Sequence, residues 1–221
     1  MVKPPRPLPS HAAPPRPPAP PRPASGRTPR LPAAERREAI LAAALPVFAT
    51  RGAEGATTRD LAKAAGVTEP ILYRHFPSKA DLFAAVVARA TERVLAGIAG
   101  IVAGARDATA RLVALATRIE DLLRGFDLEL RVLNGAAATH ADAATTALVR
   151  DAYERIGAAL AQALRGGGLR RGVNATVAGH LLLEVGLGAS LLRPVGVAAV
   201  ANDGYGRQVL SLLVAAFIGP R

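Results

Sequence analysis

The chain has 221 residues, a formal net charge of +11 at pH 7 and no cysteine. The lack of cysteine excludes disulfides and thiolate metal sites, which is typical of a reducing cytoplasm. No uncharged apolar run reaches the length of a membrane-spanning helix, and the N-terminus lacks the apolar core of a secretory signal, so we expect a cytoplasmic protein with no membrane partner. Half of the residues are hydrophobic but few are aromatic. This composition favours helices and predicts an all-α fold.

The first 32 residues contain 13 of the 18 prolines, which predicts a disordered tail because proline lacks the N–H that regular structure needs. Six basic residues and no acidic residue lie in the first thirty positions, so more than half of the net charge sits there. They are Lys3, Arg6, Arg16, Arg22, Arg27 and Arg30. Three interpretations stay open: a solubilising leader, an arm that touches DNA phosphates or the minor groove, and a ligand of SH3-type domains.

A helical pattern begins after the tail, with apolar residues recurring on one face. These are Ile40, Leu41, Ala44, Leu45 and Phe48. Pro46 is expected to kink this helix and Gly52 to end it. Thr57 is placed as the N-cap of a short second helix, with Asp60 three residues later in a near capping box, and Gly66 ends it.

A second short helix follows at once. Thr68 can cap it, and Pro70 falls in its first turn, where a missing N–H costs little. Leu72 and Phe76 lie four residues apart and are expected to face the core, and Pro77 ends the helix. Two short helices joined by a glycine turn form a helix-turn-helix, whose second helix leaves one face available for a DNA major groove.

The stretch 33–87 resembles the TetR family of transcriptional regulators. The resemblance rests on TTRDLAKAAGV, then LYRHFPSK, then DLF, in this order and spacing. It implies a helix-turn-helix DNA-binding domain over 33–79, in which three helices pack together, and a helical ligand-binding and dimerisation domain over 80–221. It further implies a homodimeric DNA-binding regulator that is neither an enzyme nor dependent on a cofactor. Such a protein is a repressor released from a palindromic operator on double-stranded DNA by a small, largely apolar effector.

The resemblance assigns DNA contacts along the two short helices. The residues concerned are Thr57, Thr58, Arg59, Thr68, Glu69, Pro70, Ile71, Tyr73, Arg74, His75 and Lys79. The first turn of the second short helix faces bases: Glu69 accepts from a cytosine amino group, and Ile71 touches a thymine methyl. Arg59 reaches a guanine edge or a phosphate. The two neighbouring threonines meet phosphate, as do Tyr73, His75 and Lys79, while Arg74 serves either purpose.

A purely structural interpretation stands beside several of these assignments. Tyr73 can be a packed aromatic of the core, and His75 a charge partner of the helix C-terminus. Thr57 can act only as a cap. Glu69 can simply favour the helix dipole from the first turn.

Further helices are predicted over 80–103, 108–124, 128–138, 143–164, 175–192 and 203–218. Ser78, with Asp81 three residues later, is expected to cap the first of them. Candidate ligand-binding residues are Leu115, Arg118, Ile119, Leu122, Phe126, Leu130, Asn134 and Tyr153. In the resembling family the last two helices pair across a dimer, and the candidates there are His180, Leu183, Leu187, Leu191, Val209, Leu213 and Phe217.

His180 and Glu184 lie four apart, but two ligands are too few for a metal site, so an ion pair or interface hydrogen bond is favoured. An enzyme is the competing class of function, and no nucleophile–base motif, metal cluster or nucleotide loop supports it. The other alternative is an architectural DNA-binding or protein-interaction module that uses the basic tail.

Overall fold

The computed structural model describes residues 32–138, 142–166, 169–192, 195–197 and 204–218. These residues form nine helices and one isolated antiparallel bridge between Leu169 and Ile218, which confirms the all-α prediction. The helices are α1 (Ala33–Gly55), α2 (Thr58–Ala64), α3 (Glu69–His75), α4 (Lys79–Val102), α5 (Ala108–Gly125), α6 (Asp127–Ala138), α7 (Ala143–Leu164), α8 (Ala175–Leu192) and α9 (Tyr205–Phe217). The predicted basic tail lies outside the described residues, except for Pro32.

The first helix leaves helical geometry at the glycine that the sequence predicts as its end. It continues through Pro46 and leaves helical geometry at Gly52, whose φ of 71° is open to glycine; helix is then regained as far as Gly55. The helix is thus not interrupted at Pro46, and the kink expected there stays a prediction. Proline's fixed φ is itself helical, and Pro46 and Ala42 are both exposed, so water can hydrate the carbonyl that loses its partner.

Most of the signals around the two short helices are confirmed, but the cap predicted at Thr68 is not formed by its side chain. Thr57 Oγ1 accepts from the Asp60 backbone N–H at 3.1 Å, and the Asp60 carboxylate accepts from the Thr57 N–H at 3.4 Å, which completes a capping box. The turn after α2 uses Gly66 at φ 63°. Thr68 occupies the N-cap of α3 but makes no side-chain cap bond, and Pro70 lies in the first turn as expected.

The three N-terminal helices enclose a small apolar core. Phe48 of α1, Leu61 of α2 and Leu72 of α3 are buried together with Phe76, which caps α3. The Phe48 ring meets Phe83 of α4 edge-on, with centroids 5.1 Å apart. The core-facing assignment of Leu72 and Phe76 is thus confirmed, and the opposite side of α3 is left outside the core.

Helix α4 joins this N-terminal region to the rest of the fold. Ser78 caps it as predicted, with its hydroxyl accepting from the Asp81 N–H at 3.0 Å. The described residues after Pro32 form one compact unit, because α1 packs against both α4 and α6. A single apolar core therefore runs across position 79, where the sequence predicts a domain boundary.

Three ion pairs fasten α4 to three other helices. Arg89 bonds to Glu38 of α1, Glu92 to Arg155 of α7 and Arg93 to Glu129 of α6. The pairs differ in burial, because the Glu129 side chain is only 3% exposed while the Glu38 side chain is 60% exposed. Removal of Arg93 would therefore leave the Glu129 carboxylate buried without its cation.

Helices α7 and α8 cross at unusually close range. A Cβ placed on Gly179 would lie 2.5 Å from the backbone nitrogen of Ala161 and 2.8 Å from the carbonyl oxygen of Gly157. By length and composition α8 is apolar enough to span a membrane. Its buried residues, including Leu182 and Leu183, instead pack inside the helical fold, which accounts for that part of its apolar character.

Replacing Gly179 with alanine should lower the free energy of unfolding by about 1–3 kcal/mol, although alanine is the better helix former. The added methyl meets backbone atoms of α7, which cannot move aside as a flexible side chain would. Gly188→Ala is the matched control, since nothing lies within 4 Å of its Cβ position in the same helix. That variant should be neutral or more stable by up to about 1 kcal/mol. Urea denaturation of both variants measures the difference, and equal effects would refute the close crossing.

Candidate nucleic-acid interface

The outer face of α3 carries the residues predicted to meet DNA. Pro70 and Arg74 are exposed, and Tyr73 is 44% exposed, so Tyr73 is not a packed core aromatic. Glu69, Ile71 and His75 are half-buried beside them. By helical spacing Pro70, Ile71 and Arg74 lie opposite Leu72 and Phe76, while Glu69, Tyr73 and His75 lie at the edges of that outer face.

Two arginines flank this surface without internal partners. Arg59 on α2 and Arg74 on α3 are exposed, and neither has an ion pair or hydrogen-bond partner among the described residues. Arg51, by contrast, is held in an ion pair with Asp60. Unpaired guanidinium groups beside an exposed short helix provide a positive field and bidentate donors, the chemistry that phosphates and guanine edges accept.

The Thr57 hydroxyl makes its hydrogen bonds within its own helix, α2. It donates to the Asp60 carboxylate at 2.6 Å and accepts from the Asp60 N–H. Because a hydroxyl has one proton, no donor is left over for a phosphate while this arrangement holds. The hydrogen bonds from Thr57, together with the nearby Arg51, hold the pKa of Asp60 below its ordinary value. The structure therefore favours the capping role of Thr57.

Thr58 points its hydroxyl at the next helix. Thr58 Oγ1 donates to Glu69 Oε2 at 3.0 Å, which joins the first turn of α2 to the first turn of α3. Both side chains are half-buried. The two predicted contacts are thus one hydrogen-bonded unit, a link that the sequence does not reveal.

Lys79 also has structural partners. Its Nζ donates to the carbonyl oxygens of Glu54 at 3.2 Å and Ala56 at 3.1 Å, at the end of α1. A lysine ammonium has three N–H groups, so one remains beyond these two bonds. The phosphate contact at Lys79 stays a prediction, and the residue additionally ties α4 to the C-terminal end of α1.

The helical region behind this surface contains an apolar cavity of about 50 Å³. Three predicted ligand-binding residues, Leu115, Leu122 and Leu130, line it. The other lining residues are Ile98, Ile101, Leu123, Ile156, Leu160, Leu182, Leu183, Gly186 and Leu187. Those on α7 and α8 were not among the predicted ligand-binding residues; their helical spacing was the available signal, but it does not by itself tell the inward stripe from other apolar stripes. The cavity is small beside the ~300–1,000 Å³ of typical ligand pockets, so a ligand would have to widen it.

The remaining ligand candidates do not line this cavity. Arg118 is exposed, and the side chain of Ile119 lies outside the described part of the structure. Phe126 packs against Gly97 of α4, where an added Cβ would come within 2.4 Å of the ring. For Arg118 and Phe126, a role in ligand binding therefore stays a prediction.

Asn134 and Tyr153 belong to a buried polar chain instead. Tyr153 donates to Asn134 Oδ1 at 3.2 Å, Asn134 donates to Ser190 Oγ at 2.7 Å, and Ser190 donates to the Leu187 carbonyl at 2.8 Å. Burial raises the pKa of Tyr153 to about 12. Tyr153 also borders a separate groove, of about 280 Å³, that it shares with Arg150 and His180.

The predicted dimer residues divide between the interior and the surface. Leu183 and Leu187 line the cavity and Phe217 is buried, so these side chains contact the chain's own core, and their part in a dimer stays a prediction. Val209 and Leu213 are half-buried, and Leu191 is exposed. The large apolar side chains that α8 and α9 expose are Val177, Leu181, Leu191, Leu192 and Leu212.

His180 packs its ring on Gly157 and faces Glu154 at 3.8 Å rather than Glu184. Its Nδ1 lies 2.9 Å from the carbonyl oxygen of Thr176. Among the described residues no three histidine, aspartate or glutamate side chains gather in a way that would hold a metal ion.

Comparison with known proteins places this architecture in a family. Residues 40–86 match "Bacterial regulatory proteins, tetR family". The nucleoid occlusion factor SlmA of Escherichia coli is 34% identical over 152 residues, which cover 66% of this chain and 75% of SlmA. The transcriptional activator FasR of Mycolicibacterium smegmatis is 44% identical over 69 residues, which cover 31% of this chain and about a third of FasR. A TetR-family regulator from Cytophaga hutchinsonii superposes with a TM-score of 0.71 at 19% identity, over 87% of this chain and 100% of that one.

The fold and the matched helix-turn-helix segment are those of a DNA-binding regulator. The chain belongs to the TetR family of transcriptional regulators.

Proposed function

We propose that the protein is a homodimeric repressor that binds a palindromic operator and is released from it by a small, largely apolar ligand. The observation that carries the proposal is the arrangement along α4. The exposed outer face of α3, with unpaired Arg59 and Arg74 beside it, precedes α4 in the chain, and an apolar cavity lies among the helices that pack on α4. We call that outer face the reading surface and α3 the reading helix.

The outer face of α3 is the part of the molecule best suited to DNA. A B-DNA major groove admits one α-helix, and a recognition helix contacts base edges with its N-terminal residues. In this chain those residues are Thr68, Glu69, Pro70 and Ile71, of which Thr68 and Pro70 are exposed and the other two half-buried. Tyr73 lies farther along the helix, where a side chain meets the flanking phosphates. Arg59 is proposed to read a guanine or hold a phosphate, and Arg74 and His75 to support the same contacts.

A dimer follows from the shortness of the reading helix. α3 has seven residues, and one such helix covers a single half-site, so two copies related by two-fold symmetry are needed for a specific operator. The exposed leucines and valines of α8 and α9 supply an apolar face for that pairing.

The ligand proposal rests on the chemistry of the cavity wall. Every lining side chain of the cavity is aliphatic apart from a glycine, so the site offers apolar contact and little hydrogen bonding. α4 contributes Ile98 and Ile101 to this wall. A ligand that widens the cavity would therefore press directly on α4, which follows α3 in the chain. If the ligand binds this displaced arrangement more tightly than the DNA-bound arrangement, it lowers the affinity for DNA.

One experiment tests the proposed function in two stages. Selection from a random duplex library should yield a palindromic site that is retained at salt concentrations where random duplexes are lost, because base contacts survive screening better than phosphate contacts do. Apolar compounds of different shape, such as decanoate, toluene and progesterone, are then titrated into the labelled complex, and at least one should release it. Binding that salt erases on every duplex would favour the architectural alternative that uses the basic tail.

A second candidate function comes from the likeness to SlmA, which extends well beyond the helix-turn-helix. In that case the DNA-bound protein would act as a nucleoid occlusion factor, as SlmA is named, rather than on transcription. Mapping of bound sites on the chromosome separates the two functions. A few sites beside promoters favour the regulator, whereas many sites spread over the chromosome favour nucleoid occlusion.

A further inference from the structure

We propose that Thr58 positions Glu69 for base readout, and that this pair sets a preference for cytosine at one position of each operator half-site. The inference rests on the proposed function, in which the first turn of α3 enters the major groove. It adds a residue of the preceding helix as the element that orients the reading side chain.

The structural observation is the hydrogen bond between the two helices. Thr58 Oγ1 donates to Glu69 Oε2 at 3.0 Å, across eleven positions of sequence. No other described residue bonds to the Glu69 carboxylate. Glu69 Oε2 is thus held by α2. Glu69 Oε1 has no hydrogen-bond partner among the described residues, and as a carboxylate oxygen it can only accept.

The same bond argues against the simpler assignment of Thr58 to a phosphate. Its single hydroxyl proton is already on Glu69, so the hydroxyl has no donor left for DNA. A carboxylate held beside it would also repel a phosphate rather than attract one. A base edge that offers a donor is the remaining target that fits the charge of the pair.

The base edges of the major groove differ in how they meet a fixed carboxylate. Cytosine presents its N4 amino donor, and adenine presents an amino donor beside the N7 acceptor. Guanine and thymine present acceptors at the corresponding positions, which a carboxylate repels. The pair therefore favours cytosine, tolerates adenine less well and disfavours the other two bases. A freely rotating glutamate would discriminate less, because it could turn away from an unsuitable base.

The test measures affinities of the full-length chain for all single-base variants of the selected operator. Thr58→Val keeps the shape of the side chain and removes the donor; it should reduce the preference for cytosine at one position by about two- to tenfold and leave the ranking elsewhere intact. Thr58→Ser keeps the hydroxyl and should retain the preference. Glu69→Ala should abolish it at the same position, and adding Thr58→Val to Glu69→Ala should change the ranking no further.

Two further variants separate readout from stability. Thr57→Val removes the neighbouring hydroxyl, which bonds within α2, and should weaken all operators alike. Glu69→Gln still accepts from Thr58 but adds an amide donor, so the preference should move from cytosine toward adenine. This measurement does not require that Thr58→Val folds.

Different failures point to different errors. A uniform loss, or none, with Thr58→Val while Glu69→Ala alters the ranking would overturn the role of Thr58 and leave the proposed function intact. If the parent chain retains no particular site over random duplex, both the inference and the proposed function are overturned.

Discussion

A chain carrying both Leu191→Arg and Leu212→Arg is expected to purify as a folded monomer and to bind its operator at least about 100-fold more weakly than the parent chain. The two leucines are 55% and 72% exposed in the single chain, so arginine at these positions costs the monomer little. At a dimer interface the same arginines would bury unpaired charge, which costs about 3–5 kcal/mol. Loss of the dimer leaves each reading helix with one half-site and removes the gain from binding two together.

Sedimentation velocity and operator titration measure the two consequences in the same preparation. Ala99→Arg is the control, since it places the same side chain on an exposed position of α4, outside the last two helices. It should leave both the sedimentation coefficient and the operator affinity unchanged. A double variant that still sediments as a dimer would place the subunit interface away from this face.

Arg93→Ala should lower the free energy of unfolding by about 2–4 kcal/mol, because it leaves the Glu129 carboxylate buried without its cation. Arg93 also lies over the Phe126 ring, with its guanidinium carbon 5.7 Å from the centroid, so the substitution also removes a contact between α4 and the residue that joins α5 to α6. Chemical denaturation at pH 7, followed by helical circular dichroism, gives the value.

Arg89→Ala is a matched comparison on the same helix. Its partner Glu38 is largely exposed, so the loss there should stay below about 1 kcal/mol. Adding Glu129→Gln to Arg93→Ala should recover much of the stability, since the buried group is then neutral. Equal losses for the two arginine variants would show that burial of Glu129 has no energetic consequence.

The N-terminal region was the part most predictable from sequence. Capping residues and glycine turns act locally, so Thr57, Gly66 and Ser78 reveal helix ends without knowledge of the fold. The spacing of Leu72 and Phe76 identified the buried side of α3 for the same reason. Pro46 shows a limit of local rules, since the helix continues through this residue although proline removes one backbone hydrogen bond.

The C-terminal helices were harder to interpret because nearly every face of them is apolar. Leu187 and Leu191 are one turn apart in the same helix, yet one lines the cavity and the other is exposed. Periodicity alone cannot say which apolar stripe meets the chain's own core and which awaits another surface. The hydrogen bond from Thr58 to Glu69 was hidden for a different reason, since it depends on how two short helices are set against each other.

The chain of hydrogen bonds through Tyr153, Asn134 and Ser190 bears on how this domain keeps its alignment. Apolar contacts between alanine and leucine side chains are not directional, so away from the close crossing at Gly179 they constrain the alignment of neighbouring helices less than hydrogen bonds do. A slide of α6, α7 or α8 would break at least one bond of this chain and leave a polar group unpaired in the interior. The three residues therefore help to fix the register of α6, α7 and α8. Homologous chains should replace them together or not at all.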